Sequence, residues 1–229
     1  VLGVGKYQSM GEDCLTLNVT TPKRRRDEPM PVMVCIHGGG YILGSSATPI
    51  YDGAALARRG CVYVSVNYRV GALGCLDLSS LSTREVTIED NLFLRDLVMA
   101  LRWVRDNIAA FGGDPDNVTI FGESAGAQAV ATLLAVPAAK GLFSQAISES
   151  PASGMVGTPD VRAEYAEQFA ALLGVKSRDA AGALMAARPA ELVNTLDGLI
   201  KRAQKGMLGG FAVGPTSGTD SLPLDPVHA

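Results

Sequence analysis

The chain has 229 residues, 47% hydrophobic and 19% charged, with a formal net charge of −3. This suits one large core or two modest ones, and the slight acidic excess argues against a nucleic-acid partner. No run reaches the roughly 18 apolar residues that a membrane helix requires, so no membrane-spanning segment is expected.

In chain order, Val1 to Asp13 lacks the charged-then-apolar layout of a signal peptide. Cys14 to Thr20 alternates apolar and polar residues and predicts a strand. The basic run Lys23–Arg26 is followed at once by Asp27 and Glu28, which reads as a solvated loop. Val32 to Ile36 is a short apolar run ending in His37-Gly38-Gly39-Gly40, the pattern of a strand buried on both faces. A short helix is expected over Ala54 to Arg59 and a buried strand over Cys61 to Asn67. Residues 78–88 read as loop.

Leu94, Leu97, Val98, Leu101, Val104 and Ile108 recur at helical spacing. Glu89 and Asp90 precede them, where carboxylates favour the helix dipole, and Gly112-Gly113 stops the run. A strand over Asn117 to Phe121, a helix over Ala125 to Ala135 ended by Pro137, and a strand over Phe143 to Ser148 follow. Residues 160–173 and 178–204 look helical and alanine-rich, with Gly174 and Pro189 as punctuation, before a Gly/Pro/Ser-rich end. The alternation predicts a mostly parallel α/β sheet with helices on both faces. It divides residues 1–229 of this single unit into a sheet core over 1–150, a cap-like helical segment over 151–204 and a loop over 205–229.

Cysteines lie at 14, 35, 61 and 75, with no C-x-x-C pair and only His37 and His228 as imidazoles. No metal site is expected. Cys35 and Cys61 read as small buried hydrophobes. A reduced, cytoplasmic setting follows, or a secreted one if a leader has been removed.

Gly122-Glu123-Ser124-Ala125-Gly126 falls between a predicted strand and a predicted helix. A strand, a sharp turn bearing one serine and a helix form a nucleophile elbow, whereas the pentapeptide alone could arise by chance. The turn strains the serine, and the flanking glycines remove atoms that would collide. The helix N-terminus aims free N–H groups at developing charge. The glycines after His37 let bare backbone approach a substrate, and acyl transfer requires donors already aimed at its oxyanion. His37 precedes the serine, against the Ser, acid, His order of this fold, and reads as ordering the loop.

Several stretches resemble type-B carboxylesterases, the cholinesterase-like branch of the α/β-hydrolases. They are Glu12 to Val19 (EDCLTLNV), Val34 to Tyr41 (VCIHGGGY), Asn67 to Gly74 (NYRVGALG) and residues 101–127 (LRWVRDNIAAFGGDPDNVTIFGESAGA). The resemblance implies an α/β-hydrolase fold truncated at both ends. It implies Ser124 as nucleophile, the N–H groups of Gly39, Gly40 and Ala125 as oxyanion hole, and Ser150 as a supporting serine. Glu149 and Pro151 stand where relatives often carry Gln and Gly. Glu12 and Arg69 match structural charged positions. Neither a metal nor an organic cofactor is implied.

The chain also departs from the pattern. Val4 stands where cholinesterases carry tryptophan, which removes the aromatic floor for a quaternary ammonium. The partner of Cys14 in the family's first disulfide would lie upstream of Val1, so a free thiol is expected. The family's Glu and His come well beyond Ala229. They are expected from a missing segment or a second chain, because Asp225 and His228 are too close in sequence to come from separate loops. The expected substrate is a small-molecule ester. The competing readings are an inert fragment, a non-catalytic interaction module of the same fold, or amidase or lipase activity on the same machinery. Oligomeric state is not legible.

Overall fold

The computed structural model describes residues 10–23, 28–203 and 211–226. Val4, His228 and Arg24 to Asp27 lie outside them. Five strands form one sheet: β1 (Leu17–Thr20), β2 (Met30–Ile36), β3 (Val62–Val66), β4 (Gly113–Glu123) and β5 (Gln145–Glu149). Their order is β1-β3-β2-β4-β5. β1 runs antiparallel to β3, and every other pairing is parallel.

Register follows the apolar alternation. Val34 pairs with Val64 and Ile120, so Val32, Val34, Ile36, Val62, Val64, Val66, Val118 and Ile120 share one face. All eight are buried. The helices α2 (Leu92–Asn107) and α3 (Ala125–Leu133) pack into the same core, through Leu97, Leu101 and Val104 of α2 and Ala129, Val130 and Leu133 of α3. The short helix α1 (Ala54–Ala57) lies on the opposite face, where Gly53 sits against the ring of Tyr63. Helices therefore flank both faces.

The connections decide where a site can form. β2 leads through α1 to β3 on one side, and β4 leads through α3 to β5 on the other. β2 and β4 are neighbours, so their outgoing loops diverge and leave a crevice at the carboxyl ends of the strands.

Several local expectations need adjustment. β4 starts at Gly113 rather than Asn117, because Gly113 pairs with Met30 across a register shift. Cys61 is half-buried and precedes β3, whereas Cys35 is buried as expected. All four cysteines, Cys14 included, carry free thiols. Glu89 and Asp90 pair with Arg95 at 3.4 and 2.8 Å, outside the first turn of α2. Arg69 pairs with the buried Asp96 of α2 at 2.6 Å and also donates its backbone N–H to that carboxylate.

Beyond β5 lie α4 (Pro159–Leu172), α5 (Ser177–Ala186) and α6 (Pro189–Ala203), with α6 opening on Pro189, where proline is tolerated. Two buried polar residues tie residues 211–222 down. Asn91, left-handed at φ 46°, donates to the Thr216 carbonyl at 2.9 Å and to the Ser221 hydroxyl at 2.9 Å, and accepts the Thr216 N–H. Arg162, 2% exposed, donates to the carbonyls of Met155, Phe211 and Pro215.

Methionine at position 162 would fill most of this volume but remove all three bonds, leaving the Pro215 carbonyl only the Gly157 N–H. Arg162→Met should lower the free energy of unfolding by about 2–4 kcal/mol, read from urea unfolding. An unchanged urea midpoint would show that the three bonds contribute nothing net.

Candidate active site

Ser124 follows the last residue of β4 and precedes α3. Its backbone sits at φ 57°, ψ −121°, a conformation in which a Cβ is strained. Two bonds hold it there. Its N–H donates to the Glu149 carbonyl at the end of β5 at 3.0 Å, and its carbonyl accepts the Gln128 N–H at 2.9 Å. Ser124 occupies the N-cap of α3 yet makes no side-chain capping bond. Its side chain is partly exposed.

The two glycines of the elbow answer to different neighbours. A Cβ on Gly122 would come within 2.6 Å of the Gly126 carbonyl carbon. A Cβ on Gly126 would lie 2.2 Å from the Ile36 carbonyl oxygen, so this glycine lets α3 start directly on the exit of β2. Gly38 completes the contact from the other side. A Cβ there would meet the Glu123 carbonyl oxygen at 2.7 Å and the Ser124 Cβ at 3.5 Å. The triple-glycine loop and the serine thus stand side by side at one edge of the sheet.

The loop peptides are held from behind. His37 Nδ1 lies 2.9 Å from the Gly38 carbonyl, and a carbonyl can only accept, so the proton is on Nδ1. In a planar trans peptide the carbonyl and the next N–H point in opposite directions, so this bond aims the Gly39 N–H away from His37. The Gly39 carbonyl accepts from the N–H groups of Ile42 and Leu43, both at 3.2 Å, which aims the Gly40 N–H by the same rule. Gly39, Gly40 and Tyr41 all have positive φ, at 118°, 61° and 63°. Among the described residues, the N–H groups of Gly39, Gly40 and Ala125 donate to no acceptor.

His37 is itself immobilised. It stacks on Tyr68 with centroids 4.2 Å apart and planes 12° apart, and the Tyr68 hydroxyl donates to the His37 carbonyl at 2.7 Å. Its Nε2 is buried and has no partner among the described residues, Ser124 included. Burial pushes its pKa below the ordinary histidine value, against the opposing pull of the Gly38 carbonyl.

Ser150, also left-handed at φ 55°, follows the residue whose carbonyl holds the Ser124 N–H, and it is exposed. Among the described residues its hydroxyl bonds no other group. The sequence reading missed Tyr68, which lies inside a quoted segment, and Tyr51, whose hydroxyl accepts the Gly38 N–H at 3.1 Å. Two surface hollows, about 700 and 510 Å³ along α4 to α6, include none of these residues. Among the described residues no helix is long and apolar enough to cross a membrane.

The carboxylesterase family model matches residues 3–229. The para-nitrobenzyl esterase of Bacillus subtilis (strain 168) is 51% identical over 168 residues, 72% of this chain and 33% of that protein. The bile salt-activated lipase of Rattus norvegicus is 39% identical over 233 residues, 95% of this chain and 37% of that protein. A solved thermophilic PNB esterase superposes with a TM-score of 0.85 at 43% identity, covering 94% of this chain and 44% of that one. A solved Geobacillus stearothermophilus carboxylesterase superposes with a TM-score of 0.85 at 35% identity, covering 100% and 46%. The α/β-hydrolase fold is common to these structures, and the chain spans less than half the length of these relatives.

Two variants test the packing. Gly126→Ala should destabilise by at least about 2 kcal/mol, because its methyl meets backbone that cannot yield. Normal stability by thermal melting would contradict the close approach. For His37, the depressed pKa means that the unfolded chain binds the proton more readily. The neutral ring therefore contributes stability above about pH 6.5, and that contribution is lost as pH falls. His37→Asn supplies an amide donor near the Nδ1 position and does not titrate. Wild type should lose stability relative to it between about pH 7 and 5, read from melting midpoints, whereas a constant gap would overturn this.

Proposed function

The chain belongs to the carboxylesterase family, and on that premise we propose that the complete protein hydrolyses carboxylic esters through an acyl-enzyme on Ser124. The Ser124 hydroxyl attacks the ester carbonyl while a histidine takes its proton. The N–H groups of Gly39, Gly40 and Ala125 stabilise the tetrahedral oxyanion. The alkoxide leaves with the proton returned by that histidine, and water releases the acid by the reverse sequence. Ser150, beside the carbonyl that holds the elbow, supports the catalytic network.

The observation that carries this reading is the strained Ser124 backbone beside Gly38, with the Gly39, Gly40 and Ala125 N–H groups lacking acceptors among the described residues. The base and its acidic partner are assigned to parts of the protein outside the described residues, since His37 is committed to the Gly38 carbonyl. The relatives named above are an esterase of para-nitrobenzyl esters and a lipase. Carboxylic esters are therefore the substrate class, and the elbow assigns no leaving group or acyl length. Val4 in place of an aromatic makes choline esters poor candidates.

In the full-length protein, Ser124→Ala should lower kcat on a short-chain p-nitrophenyl ester by at least about a thousandfold. An organophosphate should add one equivalent of mass to wild type and none to the variant. Full turnover by Ser124→Ala would remove this reading.

A further inference from the structure

The Gly38 N–H is the one amide of the loop that meets a side-chain hydroxyl. It donates to Tyr51 Oη at 3.1 Å. Tyr51 ends the tight turn Pro49–Tyr51, and its own N–H donates to the Thr48 carbonyl at 2.9 Å. The Tyr51 carbonyl in turn accepts the Tyr63 hydroxyl at 2.8 Å, and Tyr63 is a buried residue of β3. Tyr51 therefore links the sheet to the glycine loop through two hydrogen bonds.

The peptide it holds joins His37 to Gly38. Tyr68 pins the carbonyl edge of that peptide at 2.7 Å, and Tyr51 pins its N–H edge at 3.1 Å. The next two peptides are each held by their carbonyls alone. The His37–Gly38 plane is thus the fixed base from which the Gly39 and Gly40 amides project. Gly38 also packs against the Glu123 carbonyl and the Ser124 Cβ. Rotation of this plane would move the donors relative to the nucleophile.

We propose that Tyr51 is a positioning residue, whose hydroxyl sets the plane of the His37–Gly38 peptide and so the aim of the Gly39 and Gly40 amides at the oxyanion. The role rests on the esterase reading above. The hydroxyl is suited to it as a neutral acceptor: burial pushes its pKa up, with the Gly38 amide acting in the opposite sense. Tyr51 is half-buried, and its link to Tyr63 runs through the backbone, so a phenylalanine there keeps the turn and the ring.

The test is Tyr51→Phe in the full-length enzyme with a p-nitrophenyl ester. The variant should lower kcat about tenfold with KM little changed, since the aim of an oxyanion donor matters in the transition state and not in substrate binding. Affinity for a trifluoromethyl ketone, which forms a tetrahedral adduct on the serine, should fall in parallel. The melting temperature should stay near wild type. A kcat and a ketone affinity both within twofold of wild type would overturn the proposal, as would a loss confined to KM. If the wild-type enzyme shows no turnover that depends on Ser124, the esterase reading itself fails and this role falls with it.

Discussion

Everything at this edge of the sheet depends on backbone touching backbone. The exit of β2 at Ile36 to Gly38 lies against the end of β4 and the start of α3. No side chain at 38, 122 or 126 would permit that separation. Three missing Cβ atoms bring two loops of distant sequence within van der Waals contact. The elbow strain at Ser124 persists because this contact, the Glu149 carbonyl and the Gln128 amide over-determine it. Sheet register sets the approach, since Ile36 pairs with Gly122. Topology opens space above it, since β2 and β4 send their chains in opposite directions.

Preorganisation follows from how the loop is anchored. Donors that must turn toward a developing charge lose much of their value, so an oxyanion site needs amides already aimed. In the proposed oxyanion site the aiming is done from the reverse edges of the peptides, by His37 and by the Ile42 and Leu43 amides. Among the described residues, the front edges at Gly39 and Gly40 meet no acceptor. His37 can act this way because burial favours its neutral form and stacking on Tyr68 fixes its ring. A charged imidazolium in the same place would put a proton on the buried Nε2 with no acceptor among the described residues.

The parts of this architecture that were legible in the sequence are local ones. β2, β3 and α2 declare themselves through runs and periods of apolar residues, and the elbow lies in one pentapeptide between a strand and a helix. The α/β-hydrolase fold is implied by the resemblance of several longer motifs, in order, to the type-B carboxylesterases. What was not legible depends on partners far along the chain. No motif or period marks Tyr51, because its partner Gly38 lies across a turn. Arg162 falls in a segment read only as helical, yet it is buried against carbonyls more than forty residues away. Nothing in the sequence singles out Asn91 ahead of α2, yet its amide serves residues 216–221 and its left-handed backbone makes no side-chain cap. Cys61 shares the apolar texture of β3 but falls one residue outside it.

The proposed chemistry separates into two halves with different structural needs. Stabilising the oxyanion requires fixed dipoles, and these come from peptides within one compact corner of the sheet. Moving the serine proton requires an imidazole able to change charge, which a buried, stacked, hydrogen-bonded ring such as His37 cannot do. The same loop therefore cannot supply both, because the rigidity that aims its amides is incompatible with a titrating group in its midst. A base for Ser124 has to arrive from another element, on the open side of the elbow. There Ser124 is partly exposed. That separation lets donor geometry and base basicity be set independently, each by its own surroundings.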